Sequence, residues 1–149
     1  ERVRRGMYVM LREGSAARNM HDLLDGYSKE LSHRLMFCTD DKHIDDLLEE
    51  GSIDYHVREC LKAGIDIYSI MRMASLNVAQ CYNLKGKGAI APGYDADFIL
   101  LNTIDEFDIH SVWVNGTRYE EEKEQAKEAN FDNTVIFIYS FLQSKIVVS

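Results

Sequence analysis

Phe37-Cys38-Thr39-Asp40-Asp41 sets two carboxylates directly after a short apolar run that begins at Leu35. In α/β folds the carboxyl ends of parallel strands present side chains over a rigid sheet, so an acid there stands where catalysis is commonly built. Such a carboxylate can ligate a hard or borderline cation, or carry a proton for metal-bound water. It can equally cap the helix behind it, and strand-end Asp caps are common. Arg12-Glu13-Gly14-Ser15 follows a second apolar run, Met7 to Leu11, at the same kind of strand end. Glu13 or Ser15 can hydrogen-bond a polar ligand there; alternatively Ser15 caps a helix from Ala16 and Gly14 relaxes the turn.

Histidine offers less. His21, His33, His43, His56 and His110 include no H-x-H, no H-E-x-x-H and no pair at i, i+4, so no compact imidazole ligand set is present, and most are expected at the surface. His43, three residues past Asp40, is the one near the candidate site. G-x-G-x-x-G, P-loop and G-x-S-x-G motifs are absent, and the sole proline, Pro92, precedes Gly93, which excludes P-C-x-x-C. Cys38, Cys60 and Cys81 are odd in number and widely spaced, which argues against a disulfide framework and for buried thiols.

The elements that must carry these residues follow from the apolar pattern. Met7 to Leu11 and Leu35 to Cys38 are unbroken apolar runs of the kind buried on both faces of a parallel sheet. Between them, Met20, Leu23, Leu24 and Tyr27 fall at i, i+3, i+4 and i+7, predicting a helix from Ala16 that closes near Tyr27 to Ser28. After Asp41 come three further helical stretches. One ends before Gly51, a C′ glycine; the next is capped by Ser52 or Asp54 and carries Ile53, Val57, Cys60 and Leu61. The last is opened by Asp66 and turns Ile67, Ile70, Met71 and Ala74 inward, with Asn77 capping a short turn through Cys81. Two strands alone make no stable parallel sheet.

Past Leu84 the composition changes. Gly86, Gly88, Pro92 and Gly93 punctuate a turn-rich segment before strands at Asp97 to Leu101 and Ser111 to Val114, the second meeting the hairpin signal Asn115-Gly116. Glu120 to Ala129 reads as a solvated helix or linker, and Val135 to Tyr139 and Ile146 to Val148 as strands. With 17 Lys plus Arg against 25 Asp plus Glu, the net charge of −8 would repel a phosphate backbone, so nucleic acid is an unsuitable partner and a small neutral or cationic ligand fits better. No apolar run approaches the roughly 18 residues that cross a bilayer, and the first residues lead into no signal-peptide segment, so a cytoplasmic protein without membrane contact is expected.

Several stretches together carry a resemblance. Met10 to Ala17 (M-L-R-E-G-S-A-A), Phe37 to His43 (F-C-T-D-D-K-H), Asp46 to Gly51 and Arg72 to Asn77 resemble the bacterial and archaeal adenine deaminases of the amidohydrolase superfamily. Gly88 to Asp97 and Val112 to Gly116 look like that superfamily's return to its small β domain. The likeness covers roughly residues 5 to 120, and the tail from Phe131 departs from it.

The resemblance implies a fold of class α/β plus β. Residues 1–84 would be the last two βα units of a (β/α)8 TIM-type barrel, and residues 85–149 part of a small β-sandwich domain. It implies hydrolysis of adenine to hypoxanthine and ammonia, with manganese or iron activating the water in the complete enzyme. Asp40 matches the family's strand-end Asp, both metal neighbour and proton shuttle, with Asp41 and His43 in support. Arg12, Glu13 and Ser15 match a seventh-strand motif and would shape the adenine pocket. The family's His-x-His pair, bridging acid and later metal histidine have no counterpart here, so a C-terminal fragment that binds no metal and is inactive alone is expected. The 149 residues fall about 100 short of a typical complete barrel, in agreement. Unpaired barrel strands become edges, which predicts a homo-oligomer or aggregation. The alternatives are a dihydroorotase-like cyclic amide hydrolase and a non-catalytic, metal-free binding or assembly module.

Overall fold

The structure, a computed structural model, describes residues 1–120. All but the first residue of the charged stretch from Glu120, and the strands expected at Val135 to Tyr139 and Ile146 to Val148, lie outside the described residues. A 3₁₀ turn at Val3–Arg5 precedes β1 (Val9–Arg12), and α1 (Met20–Leu24) and a second 3₁₀ segment (Lys29–Arg34) lead into β2 (Leu35–Cys38). Then come α2 (Ile44–Glu49), α3 (Ile53–Lys62), and α4 (Ile67–Met71), which passes through a π-helical segment (Arg72–Leu76) into α5 (Asn77–Cys81). β3 (Phe98–Thr103), β4 (Asp108–Val114) and β5 (Thr117–Arg118) form an antiparallel sheet.

β1 and β2 pair in parallel, Val9 against Leu35 through Arg12 against Cys38. The helix-containing connection between them is what parallel neighbours require. β2 is buried along Leu35, Met36 and Phe37, as a strand inside an α/β layer should be. β1 differs from the expectation of burial on both faces. It starts at Val9 instead of Met7 and buries only Leu11, while Met10 stays 41% exposed because no described element covers that face. Leu11, Met20, Phe37, Val57, Ile70 and Met73 form the centre of the core, joined by Phe107 from the turn between β3 and β4.

The helix expected from Ala16 to Tyr27 shrinks to five residues. Residues 14–18 are held instead by the strand-end loop: the Gly14 amide donates to the Ala17 carbonyl at 3.1 Å, and Glu13 bridges to Arg18. Ser15 therefore caps nothing. The first amide of α1, that of Met20, is taken by the Glu13 carboxylate at 3.1 Å. Gly51 does end α2, in the left-handed region at φ +98°, and Asp66 does cap α4 by accepting the Ser69 amide at 3.1 Å. Before α3 the N-cap position is Ser52, but the bond runs the other way, from the Ser52 amide to Asp54 Oδ1 at 2.7 Å.

Asn77 is not a cap. It is fully buried, and its Nδ2 donates to the carbonyls of Ser32 at 2.7 Å and Leu35 at 2.6 Å, tying the helix to the entry of β2. The π-helical widening just before it belongs to the same docking, since such bulges admit a side chain where a regular turn would not. In the antiparallel sheet, Asn115 (φ +51°) and Gly116 (φ +74°) make the tight turn between β4 and β5 that the pair predicts, and Phe98 stacks on Trp113 across the β3–β4 ladder with centroids 5.5 Å apart.

Removing the Asn77 side chain takes away two buried hydrogen bonds at the entry of β2, although the Ser32 carbonyl keeps the Leu35 amide. Asn77→Ala should lower unfolding stability by about 2–4 kcal/mol, read as an earlier urea midpoint at unchanged slope. A loss below about 0.5 kcal/mol would show that the contact is dispensable.

Candidate functional site

The register of β1 and β2 brings both strand-end loops side by side, so Arg12, Glu13, Ser15, Asp40, Asp41 and His43 come from 25 or more residues apart into one place. Arg12 Nη1 lies 2.8 Å from Asp40 Oδ2, both side chains about two-fifths exposed. Asp40 adopts φ +55°, a left-handed conformation that Asp tolerates better than most residues. Neither Asp40 nor Asp41 caps the helix behind, since the N-cap of α2 is His43, which uses no side-chain bond.

The loops are cross-linked. Asp41 Oδ2 accepts the Ala16 amide at 3.3 Å, and the His43 amide donates to Ser15 Oγ at 2.7 Å. Ser15 in turn donates to Asp46 Oδ2 in a short hydrogen bond. Arg18 and Lys42, one from each loop, converge on Glu50 at 2.8 and 2.9 Å. Lys42 is nearly buried there, with Nζ 4.2 Å from the Tyr55 ring centroid, a cation–π arrangement. Its ammonium, with the Arg18 guanidinium, holds the Glu50 carboxyl below the usual carboxylate range.

Two buried groups brace this layer. Glu13 is 2% exposed, and its own amide donates to the Cys38 carbonyl at 3.1 Å. His56 is the exception to the surface histidines: it is fully buried, with Nε2 3.0 Å from that same Cys38 carbonyl and Nδ1 3.1 Å from the Ser52 carbonyl. Both neighbours are acceptors, and a neutral ring donates to only one of them. A second proton would serve both, yet burial lowers the His56 pKa below the ordinary range, the Lys42 charge adding to that effect and Glu13 opposing it. Of the three thiols only Cys60 is buried, and burial pushes it up to about 12; Cys38 and Cys81 are half-buried.

Sequence reasoning missed His56 and Lys42. His56 shares the i, i+3, i+4 stripe of Ile53, Val57 and Cys60, which is the signal that would have placed it inside. Lys42 carried no such signal.

An exposed carboxylate beside a guanidinium at a strand end is equipped to accept a proton and return it, held in position by the ion pair. Among the described residues no group of three or more His, Cys, Asp or Glu stands where it could hold a metal ion. No helix among the described residues is long and apolar enough to cross a membrane.

The model of the amidohydrolase family matches residues 9–119. The chain is 54% identical over 116 residues to an adenine deaminase of Bacillus pumilus and 45% identical over 116 residues to that of Bacillus subtilis, covering 78% of this chain in both cases. It spans about a fifth of the length of these curated relatives, 20% of each. Among solved structures, a β-aspartyl dipeptidase of Fervidobacterium islandicum superposes with a TM-score of 0.62 at 26% identity, over 78% of this chain and 32% of that one.

The buried imidazole has a stability consequence. The unfolded chain takes up a proton near pH 6.5 that native His56 resists, so His56 favours folding fully above that pH and progressively less below it. Urea unfolding between about pH 7 and 5 should show stability falling with pH, and His56→Gln should flatten that slope. An equal slope in the variant would contradict the assignment.

Proposed function

The chain belongs to the amidohydrolase family, and from that premise we propose that it is the C-terminal part of an adenine deaminase, converting adenine and water to hypoxanthine and ammonia. The observation that carries this reading is the strand-end pairing of Arg12 with Asp40, set in a segment half identical to proteins named for that activity. In this reading residues 1–84 are the last two βα units of a (β/α)8 barrel and residues 85–149 belong to a small β domain. Parallel β1 and β2 against the antiparallel β3–β4–β5 sheet support that division.

Asp40 accepts the proton that water loses as it adds to C6 of the purine, and delivers it to the departing ammonia. Arg12 keeps the carboxylate aimed at the open end of the sheet. Glu13 and Ser15 shape the adenine pocket through the loops they hold, and Asp41 and His43 support Asp40 from its own loop. The complete enzyme would use manganese or iron, for which the described residues make no complete site of their own. We place the enzyme in the cytoplasm as a homo-oligomer; the exposed Met10 beside β1 fits a strand edge that the rest of the barrel would cover. A different amidohydrolase substrate, such as a cyclic amide, is the competing reading.

A graft tests this. The segment of the Bacillus pumilus adenine deaminase that aligns over 116 residues is replaced by that of this chain. The chimera should release ammonia from adenine and not hydrolyse dihydroorotate, and Asp40→Asn should lower kcat by about 10²–10⁴-fold with a cooperative melt retained. A folded chimera without activity on adenine, or full turnover in Asp40→Asn, would contradict the proposal.

A further inference from the structure

Adjacent carboxylates at a strand end repel each other if both face the same way, and this chain sends them to different partners. Asp40, turned by its left-handed φ of +55°, meets Arg12 at 2.8 Å. Asp41 lies across the other loop, its Oδ2 on the Ala16 amide at 3.3 Å and its carboxylate directly over Gly14. A Cβ at Gly14 would fall inside that carboxylate, 2.9 Å from Asp41 Cγ, with the Thr39 carbonyl oxygen at 3.1 Å. Real Cβ atoms do not approach that closely, so a side chain at residue 14 and the Asp41 carboxylate in this position exclude each other.

We propose that Asp41 is a positioning residue for Asp40: seated in the gap that Gly14 leaves, it locks the two strand-end loops together and leaves Asp40 as the carboxylate that faces the substrate. This rests on the functional reading of Asp40 given above. Two further contacts on the same seam point the same way, Ser15 Oγ receiving the His43 amide at 2.7 Å and donating to Asp46. They join Ser15 to residues 43 and 46, on the far side of Asp41 from Asp40, so the same two loops are tied on both sides of the Asp41 contact. Asp41 then needs its acceptor oxygen more than its charge, since what it binds is a neutral backbone amide.

The test is a thermodynamic cycle in the chimeric enzyme with Gly14→Ala, Asp41→Ala and the double variant. Each single change should lower kcat about tenfold with KM within about twofold, because a slightly misplaced proton carrier slows chemistry and not binding. In the double variant the added methyl no longer meets a carboxylate, so the loss should stay near tenfold; independent roles would multiply to about a hundredfold. Asp41→Asn, which keeps an acceptor, should recover kcat to within about threefold of the parent. A hundredfold loss in the double variant, or Asp41→Asn as damaging as Asp41→Ala, would overturn the proposal in favour of direct contact with substrate or metal.

Amide hydrogen exchange reads the same seam without turnover. Ala16 and His43 should exchange faster in Asp41→Ala and keep their protection in Asp41→Asn. Unchanged protection in Asp41→Ala would overturn the locking role even where Gly14→Ala fails to fold. A parent chimera inactive on adenine removes the functional reading alone, and the exchange result then decides the lock.

Discussion

Everything at this site depends on the parallel pairing of two four-residue strands. With Arg12 opposite Cys38, the loops that leave the two strands emerge at the same height. Arg12 can then reach Asp40, Ala16 can reach Asp41 and Ser15 can reach His43. Slipping β1 by one residue against β2 would turn Leu11 out of the core and change which side chain of its loop faces the other loop, because side chains alternate along a strand.

So short a pair of strands does not hold its register unaided. The Cys38 carbonyl, at the last residue of β2, stands between the Glu13 amide on one side and the buried His56 ring on the other. At the opposite end of β2, Asn77 takes the carbonyls of Ser32 and Leu35. The strand is therefore pinned at both ends by polar side chains from helices packed on it, while Leu35, Met36 and Phe37 supply the apolar contact between. Polar groups this deeply buried are expensive to leave unpaired, so each fixes a position as well as contributing stability.

How much of this could be read in the sequence follows from the range of each interaction. The apolar run that became β2, the Asn115-Gly116 turn, the Gly51 stop and the Asp66 cap are local patterns, and each is found where its pattern put it, while the run at Met7 to Leu11 yields a strand that starts only at Val9. Arg12, Ser15, Asp40, Asp41 and His43 were identifiable as strand-end residues, and their meeting follows once the strands pair. What local reasoning got wrong depends on partners distant in the chain. Asn77 has the side chain of a cap but serves carbonyls more than 40 residues away, and residues 16–19 leave their helical pattern because the other loop holds them. The burial of His56 was legible in the stripe it shares with Ile53, Val57 and Cys60, but its place against the end of β2 was not, because that contact joins residues 18 apart in the chain.

In the proposed function, the meeting of these loops makes Asp40 the proton carrier at an adenine site. A crystal structure of the chimeric enzyme with adenine bound tests it most directly. The purine should lie at the carboxyl ends of β1 and β2, with the Asp40 carboxylate within about 3 Å of the C6 amino nitrogen or of one water bound against C6, and still beside Arg12. Adenine seated elsewhere, or Asp40 turned away with more than one water between it and C6, would contradict it.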